Sequence, residues 1–306
     1  MTFEKHYESI IKTSSIGYVF CKIVKNSDQK PIDLEIIEVN SALENEFQLD
    51  AKAITGSTFS TIQPSFFQEN KEWICTFDQL SSEFNTKYIE KFDVRLKKWI
   101  GINAFSNQGG YITFLFQDIS ERKILPEILK VFTTYNYQNV DYDFIAQKAK
   151  EISGAKYVIF NKYIENSNTY KTTGISELNN TIEKMTSLLG FDFRNKIWDS
   201  DPIMEGKIAQ NKWTKFEQFS DLSGEIVAPK IINNAAKILG LSHCYVFRSS
   251  VDQIKLGDII LIFGKNESIR NTELIETYSD MVGLLINRVN SEQQTTIVHQ
   301  AFQNYK

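Results

Sequence analysis

The sequence predicts an α+β protein of two domains, each a mainly antiparallel sheet with flanking helices. Its 306 residues suffice for two domains of ordinary size, each with a buried core. The first part of the chain shows two strand patterns, several helical patterns and three more strand patterns. The second part shows a helix, a strand, a variable middle, a strand pair and a closing helix. We therefore assign domains to residues 1–123 and 124–294, and a C-terminal tail to residues 295–306.

The composition is that of a soluble globular chain. Hydrophobic residues make up 42%, charged residues 24%, and prolines number only five, which argues against disorder or a collagen-like repeat. The net charge of -4, without a long basic run, predicts no binding to nucleic acid or to an anionic membrane surface. No leader pattern and no run of roughly 18 apolar residues is present, so we expect a cytoplasmic protein and no membrane partner. The 22 Phe and 13 Tyr indicate aromatic-filled cores or apolar pockets.

Five strand patterns and a helical middle make up the first domain. Asn40 follows the second strand and is a suitable N-cap, because its side chain can accept a hydrogen bond from the first turn of a helix. An amphipathic helix is expected over residues 65–82. Alternation is clearest in the third strand, where Phe92, Val94 and Leu96 face one way. The strands are expected at residues 16–24, 34–39, 88–96, 99–105 and 111–116.

The last strand of the first domain leads directly into residues 117–123, which read QDISERK. An Asp at a strand end can accept hydrogen bonds from the N–H groups of the next turn, so Asp118 predicts the start of a helix. Ser120, Arg122 and Lys123 are polar and keep this exit in water. The segment marks the passage from a sheet to a charged connector.

Three further features occur together with this exit segment. They are the order of the elements, the strand-to-helix corner at residues 39–42 (VNSA), and the turn at residues 56–59 (GSTF) followed by Pro64. In this order and spacing they resemble a PAS sensory domain over residues 6–123. The resemblance implies a module that passes a signal on and has no chemistry of its own.

The second domain begins with a helix that ends at Gly154, a suitable C-cap. A later helix has Pro229 in its first turn and stops at Gly240. This layout resembles a GAF domain over about residues 127–294. The remaining elements are strands at residues 157–164, 242–248 and 259–263 and a long amphipathic helix at residues 271–289.

Catalytic motifs are missing from the sequence. There are three histidines, and neither Gly-x-Ser-x-Gly nor His-Glu-x-x-His occurs. Gly264-Lys265 lacks the earlier glycine of a phosphate loop, and no glycine-rich ATP lid is present. We predict no catalytic residue and no metal ligand, and a chain that is not an enzyme by itself.

This sequence does not match the cofactor sites known in PAS and GAF domains. Flavin-binding PAS domains carry a Cys near the turn at residues 56–59, and haem-binding ones a His on the helix expected at residues 65–82; neither residue type is there. Bilin-binding GAF domains have Cys followed by His, whereas His243-Cys244 has the reverse order. We favour Cys244 as a small core residue with His243 on the opposite face of its strand, and the cysteines at positions 21, 75 and 244 as buried, inert thiols. No cofactor is predicted, and a haem or redox sensor using His243 or Cys244 stays an alternative.

Aromatic side chains are the candidates for binding an unknown small ligand. Rings at these spacings also fill ordinary cores, which is the interpretation we favour. The candidate ligand-binding residues are Phe92 and Phe114 in the first domain and Trp198, Trp213, His243 and Tyr245 in the second.

A signal would leave the first domain through Asp118, Arg122 and Pro126. The ring of Pro126 removes a helix hydrogen bond, so the connecting helix should start or kink there. The resemblance implies a homodimer formed by the connecting helix and by the final helix past Val289.

Taken together, the sequence predicts a PAS-GAF signal-sensing and dimerisation module that relays a small-ligand or partner signal to an output domain or protein. The partner would be a kinase or a response regulator of a two-component system. The alternative is the input region of a sensor histidine kinase whose catalytic part lies outside this chain. His299 lacks the flanking residues of a phosphoacceptor histidine and is interpreted as a solvated residue.

Overall fold

A computed structural model describes residues 9–69, 72–82, 86–106, 109–176, 187, 190–192, 194–209, 211–223 and 228–303. The chain divides into two compact units, Met1–Ile124 and Leu125–Lys306. Both contain an antiparallel sheet with flanking helices, in agreement with the predicted α+β class. Within the described ranges, no helix combines the length and the apolar character needed to cross a membrane.

The first unit is built on a five-stranded sheet. Its strands lie side by side in the order β2-β1-β5-β4-β3, and every neighbouring pair is antiparallel. The first and last strands of the unit are therefore central neighbours, whereas the β3–β4 hairpin forms one edge. The strands are β1 (Gly17–Lys25), β2 (Pro31–Val39), β3 (Thr86–Asp93), β4 (Lys98–Ser106) and β5 (Tyr111–Asp118).

Five short helices are described between β2 and β3. Asn40 caps the first of them by accepting a hydrogen bond from the Leu43 amide, as predicted. The described helical residues in the region of the expected helix are 64–69 and 72–82. Residues 70–71, and the side chains of Phe66 and Leu80, lie outside the described residues. The helices are α1 (Ser41–Phe47), α2 (Ala51–Ile54), α3 (Phe59–Ile62), α4 (Pro64–Glu69) and α5 (Glu72–Ser82).

The third strand differs from its prediction. It ends at Asp93, because the Asp93 carboxylate accepts hydrogen bonds from the Arg95 and Leu96 amides and closes a turn there. Phe92 is 40% and Val94 78% exposed. The expected apolar face of Phe92, Val94 and Leu96 is therefore wrong, since the last two belong to a turn.

The second unit is built on a six-stranded antiparallel sheet in the order β8-β7-β6-β11-β10-β9. Its central hairpin is longer than predicted, because Asp252 and Gln253 form a tight turn with positive φ at both positions. The strands are β6 (Tyr157–Tyr163), β7 (Thr169–Ile175), β8 (Ile197–Asp199), β9 (Trp213–Phe216), β10 (Leu241–Val251) and β11 (Ile254–Gly264).

Helices cover both faces of this sheet. On one face the fully buried Tyr278 donates its hydroxyl to the carbonyl of Ile145, which joins the last helix to the first one of the unit. That first helix ends at Gly154 in the left-handed region, as expected. The last helix continues through residues 295–303, which we had assigned to a tail. The helices are α6 (Ser120–Phe132), which contains the boundary between the units, α7 (Tyr142–Ser153), α8 (Pro202–Ala209), α9 (Ser220–Ser223), α10 (Pro229–Ile238) and α11 (Thr272–Gln303).

Candidate functional site

A cavity of about 440 Å³ lies within the first unit. Its volume falls within the range of roughly 300–1,000 Å³ that is typical of small-molecule sites. All five strands and the helices α1, α2, α3 and α5 contribute to its wall, so the cavity occupies the space between the sheet and the helices. The lining includes Val19, Cys21, Leu34, Ile36, Leu43, Phe47, Leu49, Ile54, Phe59, Ile62, Gln63, Trp73, Phe77, Lys91, Phe92, Asp93, Val94, Arg95, Ile100, Ile102, Phe114 and Phe116.

Most of this wall is hydrocarbon or aromatic. The charged exceptions, Lys91, Asp93 and Arg95, belong to the end of β3 and to the turn that follows it. The Lys91 ammonium lies 5.5 Å from the centre of the Trp73 ring, a cation–π contact at the cavity border. The cavity thus combines an apolar interior with a charged border contributed by one stretch of chain.

Both aromatic residues of the first unit that were predicted as candidate ligand-binding residues, Phe92 and Phe114, border this cavity. Phe114 is buried and meets the ring of Phe77 edge-on at 4.9 Å. Phe92 packs edge-on against Trp99, its cross-strand neighbour, with ring centres 5.7 Å apart. Phe114 lies in the core side of the wall, whereas Phe92 lies at the exposed edge of the sheet.

Asp118 fastens the exit segment to the sheet. Its carboxylate accepts a hydrogen bond from the Ser120 amide at 2.8 Å and pairs with the Lys98 ammonium at 3.0 Å. Burial opposes ionisation of Asp118, but these Ser120 and Lys98 contacts hold its pKa below the ordinary value. The Ser120 hydroxyl accepts a hydrogen bond from the Trp99 amide at 2.9 Å. The helix start predicted from Asp118 is present, with α6 beginning at Ser120.

Arg122 and Lys123 fasten the same segment to β3. Both pair with the carboxylate of Glu90, and Arg122 also donates to the Tyr88 hydroxyl at 2.6 Å. The hydrogen bond from Lys123 is the main reason why the pKa of Glu90 is lowered. The Lys123 ammonium lies 5.3 Å from the centre of the Trp99 ring. The C-terminal end of β3 therefore borders the cavity, whereas Tyr88 and Glu90, nearer the N-terminal end of the same strand, contact the exit helix.

Pro126 lies inside α6, and the helix does not begin there. Of the two predicted outcomes, a helix start or a kink at this proline, the start is not found, because Asp118 and Ser120 organise an earlier first turn. Proline still lacks the N–H that would bond to the carbonyl four residues back, that of Arg122. The helix therefore lacks one backbone hydrogen bond one turn after Arg122, the residue whose guanidinium contacts β3.

A smaller cavity, of about 110 Å³, lies in the second unit beside α8 and α10. Trp198 borders it and donates its indole N–H to the Thr172 hydroxyl at 2.9 Å, which in turn donates to the Asn161 amide oxygen at 2.8 Å. These three side chains form a buried polar chain within a mainly apolar wall. Only a few atoms would fit in this space.

The other three candidates of the second unit lie on the opposite face of the sheet. Trp213 meets Tyr245 at a ring distance of 5.5 Å, and His243 stacks on Phe263 at 5.5 Å. The Trp213 indole donates to Glu276 of α11 at 3.1 Å. Trp213, His243 and Tyr245 consequently share no pocket with Trp198, and alternation along β10 explains why.

His243 and Cys244 occupy opposite faces of β10. Cys244 is fully buried in the core that borders the small cavity, and burial raises its pKa. Burial, with Lys215 nearby, lowers the pKa of His243, so its imidazole is neutral at neutral pH. The expected separation of this pair by face agrees with the observed packing.

The cysteines are not alike. Cys21 and Cys244 are buried, as expected, but Cys75 is exposed on α5, so the prediction of three buried thiols is wrong for that residue. Cys75 is two residues from both Trp73 and Phe77, which places it on roughly the opposite side of the helix from these apolar residues, so the amphipathic pattern itself indicates an exposed position. The described residues contain no group of three or more His, Cys, Asp or Glu side chains arranged to hold a metal ion.

A buried cluster of charges in the second unit escaped the sequence reasoning. Arg248 of β10 pairs with Glu205 of α8 at 2.8 Å and with Asp258 of β11 at 2.9 Å. The Tyr163 hydroxyl contacts both carboxylates, and Lys255 also pairs with Glu205. The cluster joins α8 to three strands. These residues are far apart in the sequence, and only the paired positions Arg248 and Asp258 on the hairpin could have been found from register.

Comparison with known proteins finds no matching family model and no similar curated protein. The resemblances to PAS and GAF domains therefore rest on the residues and elements of this chain alone.

Other residues of the first-unit site were also missed. Lys91 and Arg95 at the cavity border, and Tyr88 and Glu90 beneath the exit helix, sit on or beside one edge strand. Their alternating charges were visible in the sequence. Their roles depend on which strand neighbours the exit segment, and this is a property of the sheet order.

Proposed function

We propose that this chain is a PAS-GAF sensory module, not an enzyme by itself, that binds a small ligand in the first-unit cavity. Occupancy is relayed to α6 and onward to an output domain or protein, such as a kinase or response regulator. Two strands, several helices and three strands follow one another in the first unit, which is the element order on which the PAS resemblance rests. The antiparallel sheet and closing helix of the second unit likewise support the GAF resemblance.

The observation that carries this proposal is the double role of β3. Lys91 and Phe92 border the cavity, while Tyr88 and Glu90 on the same strand hold Arg122 and Lys123 of the exit helix. A ligand that displaces this strand changes the contacts of α6. Since β3 is an edge strand, it can move without breaking a second ladder of hydrogen bonds.

Dimerisation is the second part of the proposal. Ile297, Val298 and Phe302 near the end of α11 are 57%, 53% and 70% exposed. Val298 and Phe302 are four residues apart and therefore share one side of the helix, which suits packing against the same helix of a second copy.

The relay is tested with 1-octanol, an uncharged apolar probe, by hydrogen exchange of the full chain. We expect bound octanol to alter exchange in residues 86–93 and in residues 119–124. Glu90→Gln should speed exchange of residues 119–124 about two- to fivefold without ligand, as expected for loss of a surface ion-pair network, and should weaken the octanol response there.

Glu38→Gln, at an exposed position of β2, serves as the matched control. It should change neither the exchange rate of residues 119–124 without ligand nor the response of these residues to octanol. Octanol binding that leaves residues 119–124 unchanged in the wild type contradicts the relay.

A further inference from the structure

We infer that the smaller cavity, in the second unit, is a second ligand site, which binds a small uncharged molecule that carries a hydroxyl or carbonyl oxygen. This site is separate from the first-unit cavity and does not depend on the proposed relay. Its ligand class follows from one polar part of the cavity wall and from the apolar remainder.

A row of polar side chains crosses the sheet of the second unit on the face that borders this cavity. Thr172, Asn161 and Asp258 are direct neighbours on β7, β6 and β11. Trp198 of β8 extends the row at one end through its hydrogen bond to Thr172, and Arg248, the cross-strand neighbour of Asp258, extends it at the other. All of these residues except Arg248 border the cavity, which therefore has a polar stripe in its wall.

Hydrogen bonds along this row orient the Asn161 side chain. An indole N–H can only donate, so the Thr172 hydroxyl accepts from Trp198 and donates to the Asn161 amide oxygen, at 2.9 and 2.8 Å. The amide nitrogen of Asn161 makes no hydrogen bond to any described residue, although Asn161 is only 5% exposed. Buried polar groups normally have a partner. An oxygen acceptor on a bound molecule would provide the partner for this amide.

The charges near Asn161 favour a neutral ligand. The Asp258 carboxylate accepts a hydrogen bond from Arg248 at 2.9 Å and contacts the Tyr163 hydroxyl at 3.0 Å, so its charge is balanced within the buried cluster. An anion would lie beside Asp258, and the described cavity wall includes no Lys or Arg to pair with it. A cation would face the amide donor of Asn161. Burial of an unpaired charge costs far more free energy than burial of a hydrogen-bonded hydroxyl or carbonyl group.

The remainder of the wall sets the size and the apolar body of the ligand. A cavity of about 150 Å³ binds benzene, so one of about 110 Å³ takes about four or five non-hydrogen atoms. Short-chain alcohols, ketones and aldehydes have this size and one oxygen acceptor. The apolar wall that would contact their carbon atoms includes Met204 and Ile208 of α8 and Ile232 and Ala236 of α10.

The test compares 2-butanone with propionate, which have the same number of non-hydrogen atoms and similar shapes but differ in charge. In a nuclear magnetic resonance titration of the full chain, the indole N–H signal of Trp198 reports on this cavity and that of Trp73 on the first-unit cavity. We expect 2-butanone to shift the Trp198 signal with a dissociation constant of about 1 mM, as suits a ligand with so few atoms. Propionate at neutral pH should bind there at least about tenfold more weakly.

Two variants test the assignment of the polar contact and of the cavity. Asn161→Leu removes the amide donor and should weaken 2-butanone binding about tenfold. Asn168→Leu makes the same change at an exposed position before β7 that does not border the cavity, and should leave the affinity unchanged. Ala236→Leu fills the cavity from α10 without removing a polar group and should abolish the Trp198 shift.

The inferred site is overturned if 2-butanone leaves the Trp198 signal unchanged or if propionate shifts it with equal affinity. An unchanged affinity in a folded Asn161→Leu variant contradicts the role of the amide. If that variant does not fold, a Trp198 shift that persists in Ala236→Leu contradicts the site by itself. A shift of the Trp73 signal alone assigns the binding to the first-unit cavity and likewise refutes a second site.

Discussion

Asn40 holds together three parts of the first unit through one side chain. Its amide oxygen accepts hydrogen bonds from the Tyr18 and Leu43 amides, and its amide nitrogen donates to the carbonyls of Ile11 and Ile16. The side chain is almost fully buried, so water cannot replace these bonds. A residue recognised in the sequence as a helix cap is also the junction of β1, α1 and the helical turn at residues 9–13.

Asn40→Ala should destabilise the first unit by about 3 kcal/mol, because it leaves several buried backbone groups without partners. The shift is measured by urea unfolding, with hydrogen exchange of β1 and β2 reporting on this unit separately. Asn45→Ala, at an exposed position of α1, is the control and should cost far less. An equal loss in the two variants would show that the buried junction is unimportant.

Glu205 makes the stability of the second unit depend on pH. Burial acts to raise its pKa, but hydrogen bonds from Lys255, Tyr163 and Arg248 outweigh it and hold the pKa at about 2, below the ordinary 4.5. A carboxylate with a lowered pKa contributes its full stability above about pH 4.5 and loses it as the pH falls towards 2. Burial raises the pKa of the neighbouring Asp258. The contribution of Asp258 to stability therefore falls as the pH rises, which is opposite to that of Glu205.

A comparison with Glu205→Gln isolates the contribution of this one group. Between pH 7 and pH 3 the wild type should lose about 2 kcal/mol more unfolding free energy than the variant, from the linkage of the two pKa values. Urea unfolding at a series of pH values measures the difference. Glu273→Gln, exposed at the start of α11, should keep the pH dependence of the wild type. Parallel curves for wild type and Glu205→Gln would refute the assignment.

At the scale of elements, α6 is the helix on which the proposed relay depends. Its first turn is held by Asp118, Arg122 and Lys123, whereas Pro126 interrupts its hydrogen bonds one turn later. Such a helix can respond locally at its start without moving as one rigid rod.

Pro126→Ala should restore the missing hydrogen bond and slow amide exchange of residues 127–132 by an order of magnitude or more. Exchange measured by mass spectrometry on the full chain provides the readout. Glu127→Ala changes the adjacent exposed position without adding a backbone donor, and should have little effect. Unchanged exchange in Pro126→Ala would show that this proline is not a weak point of the helix.

The strands show which parts of the fold the local sequence pattern predicts correctly. Strands β1, β2, β4 and β5 lie within a few residues of their predicted positions, because apolar strand patterns and polar or glycine-containing turns mark them locally. The end of β3 was misplaced, since the carboxylate of Asp93 and not the apolar pattern decides where the turn begins. Strands β7, β8 and β9 were missed for two reasons. Strands β8 and β9 are only three and four residues long, with one buried residue each. In β7 the buried positions include Thr172 and Gly174, so its core face does not form an apolar pattern.

For the whole molecule, the proposed dimer makes a clear prediction. Phe302→Lys places a charge on the exposed apolar side of α11 that Val298 and Phe302 form, and should raise the dimer dissociation constant at least about tenfold, from the loss of one buried aromatic side chain. Light scattering after size-exclusion chromatography over a range of concentrations measures it. Gln300→Lys adds the same charge at a neighbouring polar position and should preserve the dimer. A monomeric wild type at high concentration would contradict the proposal.

The sequence by itself determined the α+β class, most strands of the first unit, the caps at Asn40 and Gly154, and the helix start at Asp118. Each of these depends on local hydrogen bonding or on alternation, which neighbouring residues specify. The tertiary structure alone decided which side chains meet: the cavity border of Lys91 and Arg95, the pairing of Glu90 with the exit helix, and the separation of Trp198 from His243 by a sheet. These depend on strand order and on the faces of strands, which join residues distant in the sequence and are set by packing of the whole unit.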